Sequence, residues 1–324
     1  MWRNGRQPII AGELMNIYIV VADFDATITK AQQKKLERYG TVFHITHHGR
    51  LSELAELTKD PEEKILALSP TAFDWKLDMG EVEAIPNVKA VITQSTSFDW
   101  INPTALKKQG IIACNCPGFS SESVAEYAFA MAIDVSRRLP LIMKNNWKAD
   151  ANMGSVLLSG KTLGVVGLGR IGRAMAAKGK GLGMHVLYWS QNSRTPDYEY
   201  ADLPDLFRRA DVLMPALAVN DDTAKLITKE HVDTLKPTAV VVGIGRVKNL
   251  LPQEHILAKV AKNELGGFAI EGGDTKPFTE YEGNVWALPA IAWITNESME
   301  RLVDIWVENM IAAATGKPKN VINR

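Results

Sequence analysis

The stretch Lys161–Ala176, KTLGVVGLGRIGRAMA, constrains the fold more than any other part of the chain. A β-rich segment, Thr162–Val166, runs straight into Gly167-Leu168-Gly169-Arg170-Ile171-Gly172 and then into a helical pattern. The first glycine permits a tight turn, the second lets the backbone approach a pyrophosphate, and the third lets the helix pack on the strand. The opening of the helix, around Gly169, Arg170, Ile171 and Gly172, then offers unbonded N–H groups and a positive dipole end to an anion. A merely glycine-rich turn would need neither flank. The spacing therefore predicts a dinucleotide-binding βαβ unit.

With 324 residues, the chain has room for two domains. A first series of β-rich runs covers Asn16–Ala22, Thr41–Ile45, Ile65–Leu68, Val88–Ile92 and Ile111–Ala113, with a charged-faced helix over Lys30–Tyr39. A long helical region, Glu122–Arg137, leads to a second series at Thr162–Val166, His185–Tyr188, Asp211–Leu213, Ala239–Val242 and Gly266–Ile270. The last helix, Glu297–Ala314, carries Met299, Leu302, Val303, Trp306, Met310 and Ile311 on one stripe, with Thr295 or Asn296 as its cap. Strands alternating with helices predict the α/β class, with two doubly wound parallel sheets.

Composition narrows the partners. Lys+Arg and Asp+Glu are each 37, so the chain lacks the basic excess of a nucleic-acid binder. No apolar run approaches the roughly 20 residues that span a bilayer. Met1–Met15 contains Arg3, Arg6 and Pro8 but no apolar core, so it reads as a disordered extension rather than a secretory signal. Cys114 and Cys116, the two cysteines, stand at i and i+2 of a strand, poorly placed to pair and at no zinc spacing. Reduced thiols, no metal, no membrane and a cytoplasmic location are expected.

An Asp or Glu normally holds the adenine ribose about 20 residues past the glycines. Here the strand HVLYW ends in Ser190-Gln191-Asn192-Ser193-Arg194. A carboxylate would repel a 2′-phosphate, whereas Ser190, Gln191, Asn192 and Arg194 offer hydrogen bonds and a positive charge. NADP is the expected cofactor, ahead of NAD, which a solvated polar loop would also admit.

Around the phosphate loop the chain resembles the D-isomer-specific 2-hydroxyacid dehydrogenases, a family that includes the glyoxylate/hydroxypyruvate reductases. Thr96–Asn102, Gly110–Ala128, Leu235–Arg246, Leu265–Pro277 and Val285–Ser298 follow in the family's order, so the likeness covers nearly the whole chain. It implies a flavodoxin-like substrate domain over 1–118 and 297–324, with a Rossmann dinucleotide-binding domain over 119–296 between its parts. The substrate would lie on Ser95, Thr96, Ser97 and Arg246. Gly245 and Glu271 would stand near the nicotinamide.

The family reduces a 2-oxo acid with an Arg that clamps carboxylate and carbonyl, a His that gives the proton, and a Glu that holds the His. Arg246 matches the Arg, and its forked guanidinium suits a bidentate clamp. The Glu position falls on Lys276 and the His position on Asn296, and no His follows His255. An Asn amide donates a hydrogen bond but delivers no proton. Lys276, repelled by Arg246, or His47 and His48 would have to supply it, unless the substrate needs no proton donor. The resemblance thus implies an NAD(P)-dependent oxidoreductase with atypical catalytic residues, acting on a small molecule as a homodimer. The dimer would form through the arm over Glu122–Trp147, with its apolar Val124, Phe129, Met131, Leu139, Leu141 and Ile142. A catalytically retired cofactor-binding sensor or scaffold is the other reading.

Overall fold

A computed structural model describes residues 15–23, 27–149, 153–224, 226–245, 247–273 and 275–324. The expected N-terminal extension falls on residues 1–14, outside the described residues, whereas Met15 is buried. The chain divides into two compact units, Met1–Phe119 with Thr295–Arg324, and Ser120–Ile294. Each is built on a parallel sheet, which makes the protein α/β throughout. No helix among the described residues is long and apolar enough to cross a membrane.

In the first unit, strands β1 (Asn16–Val21), β2 (Val42–Thr46), β3 (Lys64–Leu68), β4 (Val88–Thr93) and β5 (Ile112–Cys114) take the order β2-β1-β3-β4-β5. Every pairing is parallel. β3 is buried from end to end, as the central strand of a sheet covered on both faces should be. Its first residue, Lys64, is fully buried and donates to the carbonyls of Asp60, Glu62 and Pro86 at 2.8, 2.6 and 2.7 Å. Nearby, the Asp60 carboxylate accepts from Asn16 Nδ2 at 2.7 Å, Tyr18 Oη at 2.9 Å and the Glu62 N–H at 2.9 Å.

The final helix, Asn296–Ala314, completes this unit. Thr295 and Ser298 form its capping box. Its apolar stripe packs on β3 and β4, and Trp306 Nε1 donates to Ile92 O at 3.1 Å. The chain then returns to the free edge of the sheet. Val321 bridges Cys114 in antiparallel fashion, and the Asn323 side chain accepts from the Ala113 N–H and donates to Ile111 O, both at 2.9 Å. Cys114 and Cys116 are buried free thiols. Burial pushes the Cys114 thiol up to about 12 and the Cys116 thiol higher.

The second unit has strands β6 (Thr162–Val166), β7 (His185–Trp189), β8 (Glu199–Tyr200), β9 (Val212–Pro215), β10 (Val240–Gly243), β11 (Gly267–Glu271) and β12 (Val285–Leu288). Their order is β12-β11-β10-β9-β6-β7-β8, again all parallel. β8 and β12 extend the sheet beyond the strands expected from sequence. The order reverses between β6 and β9, the place where open α/β sheets bind ligands at their carboxyl ends. The helices Ser121–Ser136 and Arg170–Gly181 pack on each other over one face. Val124, Phe129 and Met131, expected on a dimer face, are instead buried in this unit's own core. Ile133, Trp147, Leu157 and Leu182 are the large apolar side chains exposed on this unit near that arm.

Candidate active site

The phosphate loop follows β6 at the point where the strand order reverses. Gly167 has φ +102, and a Cβ there would stand 2.8 Å from the Ala216 carbonyl oxygen, beyond the end of β9. At Gly172 a Cβ would lie 1.9 Å from Gly167 O, so the helix sits directly on the turn. Gly169 differs. It caps the helix Arg170–Gly181 with no side-chain bond, and a Cβ would meet nothing within 4 Å. Two glycines are required by protein backbone and the third faces open space, with the N–H groups of Arg170 and Ile171 at the helix start. These residues fit a dinucleotide pyrophosphate.

At the carboxyl end of β7, Ser190 is buried and its Oγ accepts from the Ser193 N–H at 3.2 Å. Arg194 Nη1 donates to the carbonyls of Ser190 and Ser193 at 2.6 and 2.9 Å, and the guanidinium lies 4.0 Å over the Tyr200 ring. Backbone bonds on one side and an aromatic face on the other hold a flexible cation in one place. Gln191 and Asn192 are exposed beside it. Tyr200 gave no signal in the sequence, because its strand has only two residues.

The carboxyl ends of β10 and β11 open on a cavity of about 450 Å³, whose lining includes Gly245, Lys248, Glu271, Gly273, Thr275 and Ala290. Glu271, the last residue of β11, is only 2% exposed. Its Oε2 accepts from the Gly245 N–H at 2.8 Å and its Oε1 from the Ala292 N–H at 3.0 Å. One carboxylate thus fixes the loop after β10 and the segment after β12. Thr275 Oγ1 lies within bonding distance of Gly272 O (3.0 Å) and Leu288 O (2.9 Å), closing the same corner. On the helix Ser121–Ser136, burial, reinforced by the charges of Glu271 and Asp134, pushes the Tyr127 hydroxyl up to about 12.

Arg246 follows Gly245 directly in the chain but lies outside the described residues. Lys276 is exposed, and its backbone N–H donates to Tyr281 Oη at 3.2 Å. Asn296 is the exposed first residue of the final helix and belongs to the first unit. From the segment after β12, the residue that lines the cavity is Ala290, directly after Pro289. Nothing in the sequence marks this alanine as a site residue.

Ser95, Thr96 and Ser97 stand past the carboxyl end of β4 in the first unit. Ser95 Oγ donates to Ser97 O at 2.6 Å and lies 3.2 Å from Trp100 Nε1, and Thr96 Oγ1 donates to Cys116 O at 2.8 Å. The Ser95 hydroxyl is therefore engaged within the loop, and the Thr96 hydroxyl with the segment after β5. His47 and His48 follow β2, beside Glu53 and Asp74 at 3.6 and 3.2 Å.

Residues 127–294 match the model of the NAD binding domain of the D-isomer specific 2-hydroxyacid dehydrogenases. The chain belongs to this family. Like other D-isomer specific 2-hydroxyacid dehydrogenases, it is an NAD(P)-dependent oxidoreductase. Among curated members, a glyoxylate reductase of Aeropyrum pernix is 30% identical over 278 residues, covering 78% of this chain and 82% of that one. A glyoxylate reductase of Thermococcus litoralis is 28% identical over 301 residues, covering 83% and 90%. The fold matches a solved acyclic imino acid reductase in complex with NADPH and D-Arg, with TM-score 0.78 at 22% identity over 95% of this chain and 100% of that one. A glyoxylate reductase structure from Paecilomyes thermophila gives TM-score 0.79 at 18% identity, over 95% and 98%.

Proposed function

We propose that this dehydrogenase prefers NADPH and reduces a small acid with an unsaturated carbon next to its carboxylate, the class to which the glyoxylate of its curated relatives belongs. The observation that carries the cofactor preference is Arg194, pinned between two carbonyls and the Tyr200 ring beside a buried Ser190. A 2′-phosphate would find a fixed positive charge there and no acid at the end of β7. When bound, the nicotinamide exchanges a hydride with the substrate. Gly167, Gly169, Arg170, Ile171 and Gly172 would hold the pyrophosphate, and Arg246 would orient the substrate carboxylate. Nicotinamide fluorescence titration should show NADPH binding at least severalfold tighter than NADH, and Ser190→Asp should reverse the order. Equal affinities for the two cofactors in the unaltered protein would sink this preference.

The proton donor is the atypical part of the reading. A side chain delivered by the end of β12 to the cavity would stand at Ala290, six positions before Asn296 in the chain. Alanine has no proton to give. Lys276, in the family's Glu position, has no histidine to hold. We further propose that two copies pair through the arm bearing Ile133 and Trp147, which exposes apolar surface that a cytoplasmic monomer would leave wet.

A further inference from the structure

We infer that Tyr200 is a positioning residue for cofactor choice: its ring braces the Arg194 guanidinium without neutralising it and so keeps the positive charge available to a 2′-phosphate. The inference rests on the NADPH preference proposed above and names the side chain through which Arg194 exerts it. Tyr200 is itself braced from the core. Its ring meets the buried Tyr188 ring edge-on, with centroids 5.6 Å apart and planes at 77°. The register of β7 and β8 sets the same two residues opposite each other. Tyr188 also holds the turn. Its hydroxyl accepts from the Thr195 N–H at 2.9 Å and donates to Thr195 O at 3.3 Å, and Thr195 directly follows Arg194. One core tyrosine therefore fixes both the backbone after Arg194 and the ring against its guanidinium.

Among the described residues, every contact of Arg194 is with a neutral group. Nη1 serves the carbonyls of Ser190 and Ser193, and the plane lies on the Tyr200 ring. Two acids follow closely in the chain, Asp197 and Glu199, and each is engaged elsewhere. Asp197 Oδ2 accepts from Thr195 Oγ1 at 2.7 Å, and the two Glu199 oxygens accept from Arg209 Nη1 and Nη2 at 2.7 and 3.1 Å. An exposed arginine free to rotate would divide its time between solvent and such carboxylates, and a paired guanidinium attracts a phosphate weakly. Stacking on a ring and bonding to carbonyls hold the group without cancelling its charge. Nε and Nη2 carry no bond among the described residues, which leaves the donors that a phosphate oxygen takes. NADH has no 2′-phosphate, so the brace should matter to one cofactor and not to the other.

Nicotinamide fluorescence titration of the full-length protein would compare Tyr200→Leu and Tyr200→Phe with the unaltered chain. Tyr200→Leu should weaken NADPH binding by about fivefold or more while leaving NADH binding unchanged. Tyr200→Phe, which keeps the ring, should retain both affinities. Calorimetry with adenosine 2′,5′-bisphosphate and with AMP, neither of which carries a nicotinamide, should show the same division, with only the bisphosphate weakened by Tyr200→Leu. Equal losses of NADPH and NADH in Tyr200→Leu would mark a merely structural role and overturn the inference. Undiminished NADPH binding in that variant overturns it too, as does a Tyr200→Phe protein that loses NADPH like Tyr200→Leu. In each of these cases the preference measured on the unaltered protein survives. If the unaltered protein binds the two cofactors equally, the NADPH preference falls and this inference with it.

Discussion

At the scale of single residues, buried charge is the recurring theme, and Asp60 makes it measurable. Burial by itself would push its carboxyl up. The bonds from Asn16, the Glu62 N–H and Tyr18, together with the Lys64 charge, outweigh burial and hold it below the usual carboxylate range. A carboxyl with a depressed value in the folded state contributes stability that is fully present above the unfolded value, about 4. That contribution disappears as pH falls through the folded value. Asp60→Asn should therefore lower stability near neutral pH by about 1–3 kcal/mol. It should also flatten the decline below about pH 4. Urea midpoints from pH 3 to 7 check both, and a parallel decline in the two proteins would contradict the assignment. Lys64 shows how far composition misleads here, because a lysine opening an apolar run reads as a solvated end and is instead capped by three carbonyls.

At the scale of elements, the phosphate loop separates two roles that its glycines share in the sequence. Gly169→Ala meets open space at φ −77, an ordinary value for alanine, so folding should be unaffected while NADPH binding weakens at least tenfold. Gly172→Ala drives a Cβ into Gly167 O and should lower the melting temperature as well as the affinity. Thermal melts beside fluorescence titrations distinguish the two. This loop was fully legible beforehand, because strand, glycines and helix follow one another within one segment. β8 was not, being two exposed residues with no apolar run. The end of β12 mattered most. The strand stops at Leu288 and Ala290 lines the cavity, while Asn296, read from the family pattern as the His position, stands in the first turn of a helix. The stacking of Arg194 on Tyr200 was equally hidden, because nothing in the intervening turn says where the ring comes to rest.

At the scale of the whole molecule, the α/β class and both parallel sheets could be read from the alternation of runs, since strands buried on both faces are continuously apolar. The face proposed for pairing could not. Apolar residues at helical spacing in the arm are equally suited to a core or a dimer, and Val124, Phe129 and Met131 went to the core. The proposed pairing through Ile133 and Trp147 predicts a symmetric dimer, so light scattering at micromolar protein should return about twice 35.7 kDa. A monomer mass would refute it, and Trp147→Lys should shift the unaltered dimer toward monomer.

The return of the chain to β5 after the final helix has a consequence for how the protein is made. The first unit is written in two pieces, and its core includes Trp306 and the bridge from Val321 to Cys114. A ribosome delivers residues 120–294 before either of those. The nucleotide-binding unit can therefore close while the first sheet waits, its β5 edge unpaired and its cysteines uncovered. Contacts that bridge most of the chain form last and slowly. A fragment of residues 120–294 should give a cooperative melt on its own, whereas residues 1–119 should expose Cys114 and Cys116 to a thiol reagent within minutes. During synthesis, those two thiols should stay open to oxidation until the final helix and tail arrive.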